Sequence, residues 1–340
     1  MPDITPGIYI LLTAGNSNLF TSPALLQWMA VASVPGKIIL LGEHGVIYGQ
    51  PCLSAAIDLR VGVEMRPGDV HEVNGRLLDG YRHTYIKHAI ETLWEGPPLQ
   101  TTTFSNIPSA SGLGSSAAIT TASVACILRL SDAFSPESVA RRSFEVEYEV
   151  QGGGSPNDTS ACTHGGAILL ARKKRHGFLW KISRDGRTWY VHKIDIPAMT
   201  DVHIVVGMTG IKSKTPRQVK KVRRFVTHSG FGRELTERIG ELVIEGIDAL
   251  QHRDYVALGQ AMNEAQKNLH TLGASSDALE KLIAAARRAG AYGAKLTGAG
   301  GGGSIIALTD EPERVAIAIE KAGGRALVTA VSSDGVKMWD

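Results

Sequence analysis

Three glycine- and serine-rich segments, far apart in the chain, constrain its fold more than any other feature. They are Pro35-Gly-Lys-Ile-Ile-Leu-Leu-Gly-Glu-His44, Pro108-Ser-Ala-Ser-Gly-Leu-Gly-Ser-Ser-Ala117 and Lys295-Leu-Thr-Gly-Ala-Gly-Gly-Gly-Gly-Ser304. Each can bring backbone amides or small hydroxyls against an anion, and together they read as one phosphate site assembled from distant parts of the chain. Glycine makes up 38 of the 340 residues, above the usual share of about 7%, and the excess gathers in runs.

In Gly112-Leu-Gly-Ser-Ser116 the glycines let the backbone turn tightly against a bulky anion, and the helix expected to start there offers unpaired amides and the positive end of its dipole. A triphosphate suits that place; a glycine-rich helix cap without a ligand is the other reading. The run Gly298-Ala-Gly-Gly-Gly-Gly303 formally matches the dinucleotide fingerprint, but a strand rather than a helix follows it in Ser304-Ile-Ile-Ala-Leu308. Close approach to phosphate, or a simple loop, fits better. No Gly-x-x-x-x-Gly-Lys-Ser/Thr and no His-Arg-Asp catalytic loop of the kind protein kinases carry occurs, which sets aside P-loop enzymes and protein kinases.

A net charge of +3 on this length requires no general attraction to nucleic acid or to an anionic membrane. Cys52, Cys126 and Cys162 are odd in number and form no Cys-x-x-Cys, so neither a disulfide framework nor a thiolate metal site is expected, and a reducing cytoplasm fits. The apolar residues 7–12 are too short to span a bilayer, and Asp3 stands where a signal peptide carries positive charge. Residues 1–28 lack periodicity and read as a loosely held, disordered or non-native extension, with Met29 as a candidate native start.

Beyond them strands and helices alternate. Strands are expected at Met29–Pro35, Ile38–Leu41, Leu59–Met65, Ala167–Ala171 and Trp180–Ser183. An alanine-rich helix is expected over Ser116–Leu130, buried on most sides, and Ser135-Pro136 opens another that reaches about Val150. A second domain starts near Asp201–Gly207. Helices follow from Thr215, Arg233 and Asp254, and Asp277 and Glu280 have capping-box spacing. Late strands fall at Ser304–Leu308 and Ala326–Val331. The chain divides into 29–198 and 199–340, an α+β two-domain protein.

Glu145, Glu147 and Glu149 lie near a helix carboxyl end, where the macrodipole disfavours negative charge. Either one of them has a compensating cation, or they are solvated, the reading preferred for Glu145 and Glu149. Asp158 alone reads as a helix cap, Lys37 as a surface lysine and His44 as a loop residue. No histidine pattern indicates zinc. Seven basic residues between Lys212 and Arg224 have no interleaved aromatics, so a solvated helix face near the cleft is preferred over nucleic-acid binding.

Taken in order, Pro35-Gly-Lys37, Gly112-Leu-Gly-Ser-Ser-Ala117, Ser155-Pro-Asn-Asp158 and Lys295-Leu-Thr-Gly-Ala-Gly-Gly-Gly302 resemble the superfamily of galactokinases, homoserine kinases, mevalonate kinases and phosphomevalonate kinases. The resemblance covers about residues 30 to 335. The first motif, extended through Glu43-His-Gly-Val-Ile-Tyr-Gly49, and Glu147-Tyr-Glu-Val-Gln-Gly152 are most similar to the mevalonate kinases, the archaeal type above all.

The resemblance implies a ribosomal protein S5 domain 2-like N-terminal domain, a ferredoxin-like C-terminal domain, and ATP and mevalonate in a cleft between them. It implies ATP-phosphate contacts from Ala110, Ser111, Gly112, Leu113, Gly114, Ser115 and Ser116, with Gly298 and Gly300 alongside. Ser116 and Glu147 match ligands of Mg2+, Asp158 the catalytic aspartate and Lys37 the lysine beside it. Glu43 and His44 match the substrate side, and Asp58 and Ser105 nucleotide contacts. A cytoplasmic homodimer without nucleic-acid or membrane partners is implied. Two alternatives stay open: the same fold acting on phosphomevalonate or homoserine, and a non-catalytic nucleotide sensor.

Overall fold

The computed structural model describes residues 29–109, 111–213 and 215–339. The extension expected at 1–28, and Ala110 of the phosphate loop, lie outside the described residues.

The first part of the chain builds a sheet from β1 (Ala30–Leu41), β2 (Cys52–Pro67), β3 (Glu72–Val73), β4 (Arg76–Leu77), β5 (Leu99–Ser105), β6 (Ala167–Ala171), β7 (Phe178–Arg184) and β8 (Arg187–Ile194). Its helices are α1 (Thr84–Leu93), α2 (Ser115–Leu130), α3 (Pro136–Gln151) and α4 (Asn157–His164). The two apolar runs expected as separate strands are one strand, β1. Its register against β2 shifts between Pro35 and Gly36, where Asp58 and Leu59 of β2 are passed over; proline has no N–H to give the ladder, and the irregularity falls beside it. The long β2 serves three neighbours: β1 along one side, and on the other β6 at its start and β5 at its end.

Helix α2 packs on β1 and β2 on one side and on α1, α3 and α4 on the other. Its residues from Ala117 to Leu128 are nearly all buried, which is why the sequence there is small and apolar all round rather than striped. Each fully buried Ile, Leu or Val contributes about 1.5–3 kcal/mol relative to exposure, so this helix is anchored at its centre. Ser135 accepts from the Ser138 amide and Pro136 stands first in α3, as the sequence predicts.

The second part holds β9 (His203–Met208), α5 (Thr215–His228), α6 (Gly230–Gln251), α7 (Tyr255–Thr271), α8 (Asp277–Arg288), β10 (Gly293–Thr297), β11 (Ser304–Thr309), α9 (Pro312–Lys321) and β12 (Arg325–Thr329). Its four strands are antiparallel in the order β10-β11-β9-β12. Read in chain order this is strand, helices, two strands, helix, strand, with the first strand central beside the fourth, the ferredoxin-like pattern with four helices in the first crossover.

Two expectations need correction. The division at 199–340 fails at its end, since β13 (Lys337–Trp339) returns to the first sheet and pairs with β1. The capping box at Asp277 and Glu280 does not form: Ser276 occupies the cap position and no side chain caps the helix. Glu280 instead accepts from Gln266 at 2.7 Å and pairs with His270 at 3.0 Å, because tertiary partners outcompete the local bond. Among the described residues no helix is long and apolar enough to cross a membrane.

Candidate active site

Each of the three glycine segments ends at one cleft of about 600 Å³. The second segment turns from β5 into α2, whose cap is Gly114 at φ 78°, with no side chain capping it. The positive φ favours glycine, and a Cβ there would stand 2.7 Å from Lys37 Cγ, so the same residue permits the turn and leaves room for the lysine. The turn is fixed from two sides. Lys37 N donates to Leu113 O at 2.9 Å, and Ser304 Oγ donates to Ser111 O at 2.6 Å. The third segment is the loop of the β10–β11 hairpin, closed by the pairing of Thr297 with Ser304. Thr297 Oγ1 accepts from the Ile39 amide at 3.0 Å, which ties the hairpin to the first segment.

Lys37 Nζ stands 3.0 Å from Asp158 Oδ2, with the lysine side chain 4% exposed and the aspartate 35%. Asp158 lies in the first turn of α4 rather than capping it. Asn157 anchors that turn, donating to Ser54 Oγ on β2 at 2.7 Å and to Asp158 Oδ1 at 3.1 Å. Burial works against the charge of Lys37, but the charge and hydrogen bond of Asp158 outweigh it and hold the ammonium above its ordinary pKa.

Of Glu145, Glu147 and Glu149 on α3, only Glu147 is buried. Glu145 pairs with Arg142, and Glu149 with His88 and Arg184, all at the surface. Glu147 Oε1 accepts from Ser116 Oγ at 3.1 Å and from Gln151 at 2.9 Å. Burial first, and the charge of Asp158 second, push its carboxyl up to about 7. Ser116 and Glu147 therefore present hard oxygen donors at a place where negative charge lacks full compensation, which suits a magnesium ion that keeps several waters and phosphate oxygens. Among the described residues no group of three or more His, Cys, Asp or Glu side chains stands ready to hold a metal alone.

Glu43 and His44, between β1 and the short turn at Gly45–Tyr48, line the cleft next to Ala299 and Gly300. Glu43 forms a fully buried ion pair with Lys295. His44 Nε2 lies 2.9 Å from Ala299 O, and burial lowers the pKa of the ring.

The sequence-derived residues separate into two sets. Lys37, Glu43, His44, Ser111, Gly112, Gly114, Ser115, Ser116, Asp158, Gly298 and Gly300 line the cleft, with Glu147 bonded to Ser116 at its wall. Ser105 lines a neighbouring pocket of about 510 Å³ that shares Ser109, Ser111 and Gly303 with the cleft. Leu113 contributes its carbonyl while its side chain is fully buried in the core. Asp58 lines neither pocket, and its carboxylate accepts from Thr329 Oγ1 and, at 3.3 Å, from the Ala330 amide, joining β2 to the end of β12. Tyr85, Ser213 and Lys295 were not foreseen. Tyr85 and Ser213 line the cleft, and Ser213 Oγ donates to Gly300 O at 2.6 Å. No local motif marks the first two; Lys295 heads the third segment but resembles any lysine entering a strand.

Cleft, loops and sheets together define a class, the GHMP kinases. Family profiles agree: "GHMP kinases N terminal domain" matches residues 84–166 and "GHMP kinases C terminal" residues 247–327. The mevalonate kinase of Pyrococcus abyssi is 34% identical over 91% of this chain and 98% of its own. That of Thermococcus sibiricus is 32% identical with the same coverage. The solved L. major mevalonate kinase in complex with R-mevalonate superposes with a TM-score of 0.74 at 25% identity, covering 89% of this chain and 96% of that one. The chain belongs to the mevalonate kinase family of the GHMP kinases.

Proposed function

We propose that this protein transfers the γ-phosphoryl group of ATP to the primary hydroxyl of mevalonate, giving 5-phosphomevalonate for isoprenoid precursor synthesis. The observation that carries this reading is the Lys37 and Asp158 pair, placed at 3.0 Å in the cleft that the glycine loops enclose. The named relatives and the mevalonate-bound L. major structure support the substrate.

Phosphoryl transfer asks the protein for alignment and for neutralisation of charge, with little covalent work. Amides at the start of α2 and the glycines of the second and third segments surround the phosphates. Asp158 accepts the proton of the attacking hydroxyl as its oxygen bonds to the γ-phosphorus and the bond to the β–γ bridging oxygen breaks, leaving ADP. Lys37 holds its ammonium 3.0 Å from that carboxylate and keeps it in place. Ser116 and Glu147 would hold magnesium, which would supply charge neutralisation on the phosphate oxygens. The nucleoside extends toward the pocket at Ser105. Within the basic stretch, Ser213, Thr215 and Val219 reach the cleft while Lys212 lines the adjoining pocket. A cytoplasmic homodimer belongs to the same reading; sedimentation velocity measures the assembly.

A coupled assay of ADP release with mevalonate, phosphomevalonate and homoserine tests the function. Mevalonate is expected to give the highest kcat/KM by far. Turnover with either rival and none with mevalonate would move the protein to another branch.

A further inference from the structure

Lys295 on β10 is sealed from solvent, yet its ammonium bonds Glu43, Leu296 O at 2.7 Å and, more weakly, Ile39 O at 3.5 Å. A lysine without water needs a strong partner, and Glu43 is that partner across 252 residues of sequence. The residue after Glu43 is His44, whose φ of 59° is a left-handed conformation uncommon outside glycine. The hairpin that carries Lys295 also grips this ring, through Ala299 O. A carbonyl only accepts, so Nε2 carries the proton and Nδ1 is left with its lone pair. Burial favours that neutral ring.

Two buried atoms in this turn have no hydrogen-bond partner among the described residues, Glu43 Oε2 and His44 Nδ1. Both residues line the cleft. Both atoms accept, so they suit a hydroxyl and repel a carboxylate. We propose that Lys295 is a positioning residue for the alcohol substrate: it fixes Glu43, and with Ala299 the turn bearing His44, so that Glu43 Oε2 and His44 Nδ1 receive a substrate hydroxyl. The inference rests on the alcohol-kinase reading above.

Without the ammonium, Glu43 is a buried carboxylate with no partner and takes up a proton, turning an acceptor into a donor. The other groups facing it cannot replace Lys295. Lys37 from β1 is paired with Asp158, Cys52 from β2 is a thiol whose pKa burial raises far above neutrality, and His44 stays neutral.

The test compares wild type with Lys295→Met and Lys295→Met/Glu43→Gln, varying mevalonate and ATP separately across pH. In Lys295→Met the KM for mevalonate rises about tenfold or more while that for ATP stays within about twofold. Its kcat/KM for mevalonate gains a limb that rises with pH, as Glu43 loses the extra proton, and the double variant lacks that limb. Infrared spectra of the same proteins show a protonated carboxyl band in Lys295→Met that the double variant lacks. Parallel rises in both KM values, an unchanged pH profile or no such band overturns the proposal. Should Lys295→Met not fold, Lys295→Arg decides: the charge stays, so the pH profile stays, while the mevalonate KM alone rises; joint movement of both KM values overturns the proposal. A wild type that phosphorylates no mevalonate would sink the function itself, and the infrared comparison would still decide on Lys295 and Glu43.

Discussion

Two lysine and carboxylate pairs, Lys37 with Asp158 and Lys295 with Glu43, use the same chemistry and differ in access to water. In the first the aspartate is about a third exposed and faces the cleft; in the second both side chains are sealed. An open carboxylate can exchange a proton with a substrate hydroxyl and then with solvent. A sealed one has no solvent to exchange a proton with and serves by accepting hydrogen bonds, and burial moves both partners toward their neutral forms, raising Glu43 and lowering Lys295 against their mutual attraction. The molecule therefore sets an open pair apart from a sealed one by solvent exposure rather than by residue type.

That contrast breaks most readily at Asp158. Asp158→Asn is expected to lower turnover by roughly 10³-fold, within the range for a lost general base, with ATP affinity by calorimetry little changed; near-normal turnover removes Asp158 from its role. Next comes stability. Lys295→Met leaves Glu43 buried and alone and should cost about 3–5 kcal/mol in denaturant unfolding. Lys37→Met leaves Asp158 partly solvated and should cost only about 1 kcal/mol, the screening of an exposed group being discounted. The reverse order would show that the two pairs have been assigned the wrong way round.

A smaller effect sharpens the magnesium assignment. Ser116→Ala and Glu147→Gln should each shift the midpoint of the magnesium titration upward by about tenfold, and unchanged midpoints for both would remove them as ligands. The sign with pH follows from Glu147. Its carboxyl is raised from 4.5 to about 7, so below that pH a proton competes with the cation and the wild-type midpoint climbs as pH falls. The same shift means that ionising Glu147 opposes folding: without metal, stability declines as pH rises from about 4.5 through about 7, and Glu147→Gln loses that slope. Smallest is Glu149→Ala, whose partners His88 and Arg184 are at the surface; less than about 1 kcal/mol is expected.

Legibility follows the same division between near and far. Gly112, Gly114 and the Ser135-Pro136 start of α3 were readable because their causes are local: backbone freedom and a cap within three residues. Even so, the single strand β1, the helix α1 and the return of β13 escaped, since each is settled by pairing or packing with segments far along the chain. Asp58 shows what motif matching leaves out: the bonds of its carboxylate to Thr329 and Ala330, more than 270 residues away, come only from the fold.

From its sequence alone the chain determined three amide-rich glycine turns, a buried alanine helix starting at one of them, and the acids and lysine that the family motifs single out. Only the tertiary structure decided which of those charges meet. It paired Lys37 with Asp158 at the mouth of the cleft, left Glu147 and not its neighbours inside, and recruited Lys295 to Glu43. The reason is that a charge's role depends on the dielectric and the partner around it, and both are supplied by residues that sequence distance does not reveal.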